Sequence, residues 1–281
     1  MSLVPQINDR STWQAIKASL NLAWFHVNGR QPWSRGYSEY KRRTIESAIH
    51  DPRFDPRALP AGHGERVDER VVEYPWALSR LRSRRPGSLL DAGSALNHGY
   101  LLRHPALAGH RIHIQTFAPE PECHWYAGIS YLFGDLRDNL FRDASFDEVV
   151  CLSTLEHVGL DNSEYAPGES DGSSGDHLRA VRELRRVLRP GGRLLLSVPF
   201  GTHRNHGWFQ VFDGLMLDEV VKAFAPSAFS EIYFGYTSAG WVNRVRDEVL
   251  DATYFDVKTA TAPAPDHAAA SRAVACLELV K

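Results

Sequence analysis

Cysteine, net charge and long apolar runs are all scarce in this 281-residue chain. Its three cysteines, Cys123, Cys151 and Cys276, are scattered, and two sit inside apolar stretches. That argues against a disulfide framework or a zinc knuckle and suits buried thiols in a reducing compartment. The 32 basic residues are balanced by 34 acidic ones, so no global field is available to hold a nucleic-acid backbone. No apolar run approaches the roughly 20 residues that a bilayer-spanning helix needs. The N-terminus also lacks the basic-then-apolar build of a secretory leader. The expectation is a cytoplasmic protein with no membrane or nucleic-acid partner, acting on a small molecule or saccharide; a homodimer stays open. A hydrophobic content of 43% is enough for one large core with at most a small appended lobe.

Glycine is missing where a dinucleotide fingerprint would require it. In SLLDAGSALNHG, residues 88–99, a short apolar run ends in Asp91 and breaks into a small-residue turn. Ala95 and Asn97 stand in the stretch where G-x-G-x-x-G would place its second and third glycines. Taken alone, the turn says only that a buried strand offers a backbone loop to a nucleotide-like ligand.

Hydrophobic periodicity organises the rest. Residues 12–27 place Trp13, Ile16, Leu20 and Trp24 at spacings of three and four, predicting an amphipathic helix. A second helix is expected at about 37–50, then a Pro-, Gly- and Arg-rich surface loop over 51–66. The run 67–81 reads as helical up to a break at Pro75. From residue 88 strand and helix patterns alternate, predicting a parallel sheet covered on both faces. Strands are expected at 88–92, 111–117, 129–133, 147–153 and 193–199, with two late ones at about 229–236 and 272–280. The clearest helix is 174–189, where Leu178, Val181, Leu184 and Leu188 form one stripe and Pro190-Gly191-Gly192 is the stop signal. The Gly-, Ser- and Asp-rich 159–175 segment reads as a ligand-face loop. The division is a helical lid or substrate lobe over 1–66 and an α/β domain over 67–281.

Four motifs occur in a fixed order: the LDAGS turn, Gly134-Asp135, SFDEVVCLSTLEHVG at 145–159 and LRAVRELRRVLRPGGRLLLSVPFG at 178–201. Through them residues 67–281 resemble the class I S-adenosylmethionine (SAM)-dependent methyltransferases of the type 11-like kind, and the phrases HGWFQVFD, STLEHVGLDN and RGYSEYK resemble a bacterial subgroup of small-molecule and saccharide biosynthesis. The resemblance implies a Rossmann-like, doubly wound, seven-stranded, mostly parallel sheet with an antiparallel edge hairpin, and SAM as cofactor. It implies that Gly93 and Ser94 admit the cofactor to the backbone and that Asp91 bonds nearby amides or the cofactor's ammonium. It places Asp135 and the Leu136 amide at the adenine, and Leu152 and Ser153 beneath the methionine part. The chain departs from the pattern at the second strand, where Thr116 occupies the place of the ribose-binding acid; Glu120 is the candidate substitute, with Thr116 and backbone groups as the alternative.

Methyl transfer from a sulfonium is an in-line displacement, so the protein supplies alignment, plus a base if the nucleophile is a hydroxyl. His157 is the first candidate base and His206 the second, with His203 near them; a structural role in holding the cofactor is the rival reading for His157. Asp161 and Asn162 could join a His around a metal, but nothing in their spacing demands one, and no metal is expected. Tyr74, Trp76, Trp208, Phe209, Tyr236 and Trp241 could face a sugar or a sulfonium methyl, although core packing accounts for most such residues. Glu69, Arg70 and Glu73 read either as a lid over the cofactor or as the polar face of a helix. The expected activity is O-methylation of a small molecule or saccharide. N- or C-methylation, an NAD-dependent oxidoreductase and a non-catalytic SAM-binding regulator remain alternatives.

Overall fold

The computed structural model describes residues 12–82, 85–161 and 175–281. Asn162 and nearly all of the 159–175 loop therefore lie outside the described residues. Helices α1 (Thr12–Val27), α2 (Tyr37–His50) and α3 (Arg70–Arg82) precede the sheet. The sheet contains β1 (Ser88–Ala92), β2 (Arg111–Thr116), β3 (Ser130–Phe133), β4 (Phe146–Leu152), β5 (Leu188–Pro199), β8 (Ala228–Thr237), β9 (Gly240–Arg244) and β10 (Ala273–Val280). Between them lie α4 (Gly99–Leu102), α5 (His177–Val187), α6 (Gly214–Phe224) and a two-stranded ribbon, β6 (Arg204–Asn205) with β7 (Gln210–Val211).

The strand order is β3-β2-β1-β4-β5-β10-β8-β9. The first five run parallel, and β10, β8 and β9 are joined by antiparallel pairings. The order reverses at β1, with β2 on one side and β4 on the other, which is where an open parallel sheet leaves a crevice beyond its strand ends. The sheet has eight strands where seven are expected, because the chain after β8 doubles back as β9 and pairs Tyr236 with Trp241. All five residues of β1 are buried, as a strand covered on both faces requires.

Three local expectations change in the folded chain. Helix α3 runs through Pro75 without ending. The proline lacks the N–H that would bond the Val71 carbonyl, and His63 Nε2 donates to that carbonyl instead at 2.9 Å, which removes much of the cost of an interior proline. Helix α5 ends at Val187, before Pro190-Gly191-Gly192, because Leu188 already pairs with Phe146 at the start of β5. In α1 the Trp13, Ile16, Leu20 and Trp24 side chains are exposed, and the helix docks through buried Phe25. Phe25 joins Tyr37, Ile45 and Ile49 of α2 in the core layer that also holds Val71, Leu89 and Trp241.

Candidate functional site

The shelf at the switch point is built by satisfied polar groups. Gly93, immediately after β1, has φ +108°, and a Cβ there would lie 2.1 Å from Thr154 Oγ1. The sequence reading attributed this glycine to close approach of a cofactor; the structure shows that Thr154, at the exit of β4, already forbids a side chain. Asp91 is fully buried, and its carboxylate accepts from the Ala95 and Leu96 amides at 3.1 and 2.8 Å. Burial pushes its pKa up to about 7 against the opposing pull of those two amides. Its role is therefore to shape the loop, by the first of the two routes expected of it.

The two departures in the sequence prove to be connected. Asn97, in the stretch that lacks the later glycines, donates through Nδ2 to Glu120 Oε2 at 2.6 Å and to the Glu122 carbonyl at 2.9 Å. Tyr131 donates to Asn97 Oδ1 at 2.8 Å. A polar residue in the loop thus fixes the carboxylate that the sequence offers as the candidate substitute for the second-strand acid. Thr116 ends β2, with its carbonyl accepting from Gly134 N at 2.9 Å. Asp135 accepts from the Arg137 amide and guanidinium at 2.7 and 2.6 Å, and Arg137 reaches Asp176 at 2.6 Å. Arg137 thus joins Asp135 to Asp176 across the start of α5. Leu136 is buried behind them.

A cleft of about 1210 Å³ opens over this shelf, bounded by Gly93, Ser94, Ala95, Arg70, Tyr74 and, from α2, Arg42. The Ser94 hydroxyl is buried without a partner among the described residues, and Ser94 itself has a positive φ of 61°. An unpartnered donor in a strained loop beside a roomy cleft fits a bound nucleoside cofactor.

A second group of polar and aromatic residues lies beyond the ends of β4 and β5. Glu73, expected on a polar helix face or in a lid, is fully buried. Its Oε1 accepts from the Ser153 and Ser197 hydroxyls, both at 2.6 Å, tying the two strand ends together. Its Oε2 pairs with Arg70 at 2.9 Å, and Arg70 also donates to the Leu152 carbonyl at 3.1 Å. Leu152 and Ser153 are thus held from α3, and Ser153 has a positive φ of 38°.

Both candidate bases pack against Phe209. The His157 ring lies 6.1 Å from Phe209, and its Nδ1 donates to the Trp208 carbonyl at 2.9 Å, which leaves Nε2 as the lone-pair nitrogen when the ring is neutral. His206 stacks on Phe209 at 4.4 Å and 9°. Its Nδ1 faces Asp256 Oδ2 at 3.5 Å, with both side chains over nine-tenths buried. Its Nε2 is buried with no partner among the described residues. Burial pushes the His206 pKa down, Arg204 adding to that effect and Asp256 opposing it. His203 turns away to the Val211 carbonyl at 2.9 Å.

Tyr254 packs 4.5 Å from Phe209 and 5.8 Å from His206. Burial raises its pKa well above the ordinary phenol value, reinforced by Glu69, Glu156, Asp68 and Asp256. Asp256 and Tyr254 were invisible in the sequence, since nothing in their spacing links them to residues 50 positions earlier. Trp76, Trp241, Tyr74, Tyr236 and Phe209 are all buried in the fold, although Tyr74 also borders the cleft. Half-buried Trp208 carries the Lys258 ammonium 3.8 Å over its ring. Among the described residues no group of three His, Cys, Asp or Glu side chains could hold a metal.

Residues 108–196 match the family described as a methyltransferase domain. That segment, about a third of the chain, is thus similar to the methyltransferase domains that the sequence motifs resemble. Solved structures with a similar course include the Burkholderia thailandensis 1,6-didemethyltoxoflavin-N1-methyltransferase with 1,6-didemethyltoxoflavin and S-adenosylhomocysteine, at 16% identity and TM-score 0.47, covering 100% of this chain and 98% of that one. The YcgJ protein of Bacillus subtilis is 13% identical with TM-score 0.48, covering 74% and 97%. The Haemonchus contortus phosphoethanolamine N-methyltransferase 2 is 17% identical with TM-score 0.42, covering 56% and 38%. No helix of the described residues is long and apolar enough to cross a membrane.

Proposed function

We propose that the chain transfers a methyl group from SAM to a hydroxyl oxygen of a small molecule or saccharide, with His206 as the proton acceptor. The observation that carries this reading is the buried, partnerless Nε2 of His206 opposite a buried Asp256 carboxylate. A neutral imidazole with Nδ1–H turned toward a carboxylate presents a lone pair at Nε2 and is stabilised when it takes a proton. Burial keeps the free imidazole neutral and ready to accept. An amine that is already neutral would need no such base.

SAM supplies an electrophilic methyl on a cationic sulfur. Gly93 and Ser94 border its cleft, with Asp91 setting the loop from beneath; Glu120, held by Asn97, is the ribose-facing carboxylate. Thr116, Asp135 and Leu136 form the shelf edge, and Leu152 and Ser153 the end nearest the transferred group. His157, which the sequence favoured as base, anchors the Trp208-Phe209 wall through the Trp208 carbonyl. Arg70 and Glu73 keep the β4 and β5 ends rigid, so that acceptor and cofactor meet in line.

Incubation with SAM and a matched panel of polyols, amino sugars and amines, with the methylated atom located in the product, tests the reading. Oxygen methylation that falls with the His206→Gln variant supports it. Turnover confined to nitrogen or carbon acceptors overturns it.

A further inference from the structure

The cleft over the Gly93 loop is bordered by more than the cofactor shelf. Its volume of about 1210 Å³ exceeds the roughly 300–1,000 Å³ in which one small ligand is ordinarily held, so a cofactor leaves room for a further group. The lining is basic. Lys17 from α1, Lys41 and Arg42 from α2, Arg70 from α3 and Arg103 at the end of α4 border the cleft, against the acids Glu39 and Glu122. Glu39 accepts from Asn21 Nδ2 at 3.3 Å, and Glu122 lies on the loop between β2 and β3.

Three of these cations are spent on acids that do not border the cleft: Lys41 on Asp68 at 2.8 Å, Arg42 on Glu46 at 2.8 Å and Arg70 on Glu73 at 2.9 Å. Lys17 and Arg103 are exposed and have no ion-pair or hydrogen-bond partner among the described residues. Helix α4 gathers the surrounding groups. The Arg42 guanidinium lies 5.2 Å from the Tyr100 ring, and Arg103 follows Tyr100 by one helical turn, which puts both on one side of α4. Just ahead of α4, Asn97 accepts from Tyr131 at 2.8 Å, and the Tyr131 oxygen takes the His124 amide at 2.7 Å. His124 is thereby held near the start of α4. It borders the cleft, is 7% exposed, and keeps Nε2 buried with no partner among the described residues. Its Nδ1 lies 3.0 Å from the Tyr126 hydroxyl; when that hydroxyl donates, Nε2 carries the proton and is a donor.

Two unspent cations and a buried donor suit a ligand that is anionic and accepts hydrogen bonds without giving them. A neutral hydroxyl balances no charge, and a carboxylate balances one. A phosphate ester brings about two negative charges and three acceptor oxygens. We infer that Lys17, Arg103 and His124 form a phosphate subsite, which makes the acceptor a phosphorylated small molecule, either a sugar phosphate or a nucleotide-linked sugar. Arg70 connects this cleft to the candidate bases' side, bordering the one and donating to the Leu152 carbonyl at the end of β4. The subsite rests on the methyl-transfer reading above only for what becomes of the molecule it holds.

Lys17 and Arg103 have no partner in the fold to lose, so their variants test the subsite without unsettling the chain. Calorimetric titration of the protein saturated with S-adenosylhomocysteine should show glucose 1-phosphate or UDP-glucose binding about tenfold tighter than glucose or better, as charge-assisted bonds provide. The tighter of the two identifies the kind of ester. The preference should vanish in the Lys17→Ala/Arg103→Ala double variant and weaken in His124→Phe, while both bind S-adenosylhomocysteine as the parent protein does. Arg43→Ala, which removes an exposed charge of α2 that does not border the cleft, should keep it. No binding of either ester, equal affinity for all three sugars, or a preference untouched by the double variant or by His124→Phe overturns the subsite. So does an equal loss in Arg43→Ala, which would show a field of the whole surface. A double variant that loses S-adenosylhomocysteine affinity also overturns it, because the cations would then serve the cofactor's own carboxylate. Methylation of a phosphorylated acceptor at nitrogen, with the binding preference intact, would overturn the hydroxyl reading and leave the subsite standing.

Discussion

The shelf beneath the Gly93 loop and the residues beyond β4 stand close together yet treat their polar groups in opposite ways. On the shelf each acid is occupied from within: Asp91 by two amides, Glu120 by Asn97, Asp135 by Arg137. Beyond β4, Glu69, Glu156 and His206 each keep a buried polar atom with no partner. A surface whose ligand is the same in every turnover can be organised in advance. Polar groups that find no partner within the fold discriminate among ligands by what remains unpaired when the wrong molecule enters.

Glu73 sits on the boundary between the two regions, and its loss should break both. Glu73→Ala leaves Arg70 unpaired and two serine hydroxyls without their acceptor, a cost of about 3–5 kcal/mol by analogy with other broken buried pairs. Chemical denaturation checks this; a midpoint within error of the parent protein would show that the buried carboxylate does not hold the strand ends. His206→Gln addresses the acceptor side alone. Its kcat should fall on the order of 100-fold, as loss of a general base does, with unchanged affinity for S-adenosylhomocysteine. A comparable loss of cofactor affinity would merge the two regions into one.

Glu120→Gln addresses the shelf alone. Removing the charge from a hydrogen-bonding carboxylate should weaken cofactor binding by about tenfold, in line with charge-assisted bonds, with little change in kcat at saturation. Unchanged cofactor affinity would leave ribose binding to Thr116 and the backbone. The smallest effect concerns pH. Because Glu69 is lifted from 4.5 to about 8 in the folded protein, the native state holds more protons than the unfolded chain between those values. Its contribution to stability is fully present below pH 4.5 and is lost as the pH rises through about 8. Thermal melts should therefore show a decline across that window that is shallower in Glu69→Gln; identical slopes would place the Glu69 carboxyl in a more watered setting.

Much of the sheet was readable because each parallel strand is a short apolar run bounded by turn signals, as in SLLDA and FDEVVCL. The helices were readable in outline, but not where a distant side chain intervened: the continuity of α3 past Pro75 depends on His63. The outward face of α1 likewise follows from how Phe25 docks, which no spacing of tryptophans reveals. Within the site, His157 and His206 were recognisable by residue type, but their shared packing against Phe209 was not.

The sequence by itself determined the class of protein, because strand ends, glycine turns and their order are local properties of contiguous residues. Only the tertiary structure decided which acids find partners within the fold. That distinction depends on partners far away in the chain: Glu73 meets Ser197 across 124 positions and His206 meets Asp256 across a fold-back of the chain. Glu69 and Glu156 differ from their neighbours only in lacking such a partner, and a lack of that kind becomes visible only once every other group has found its place.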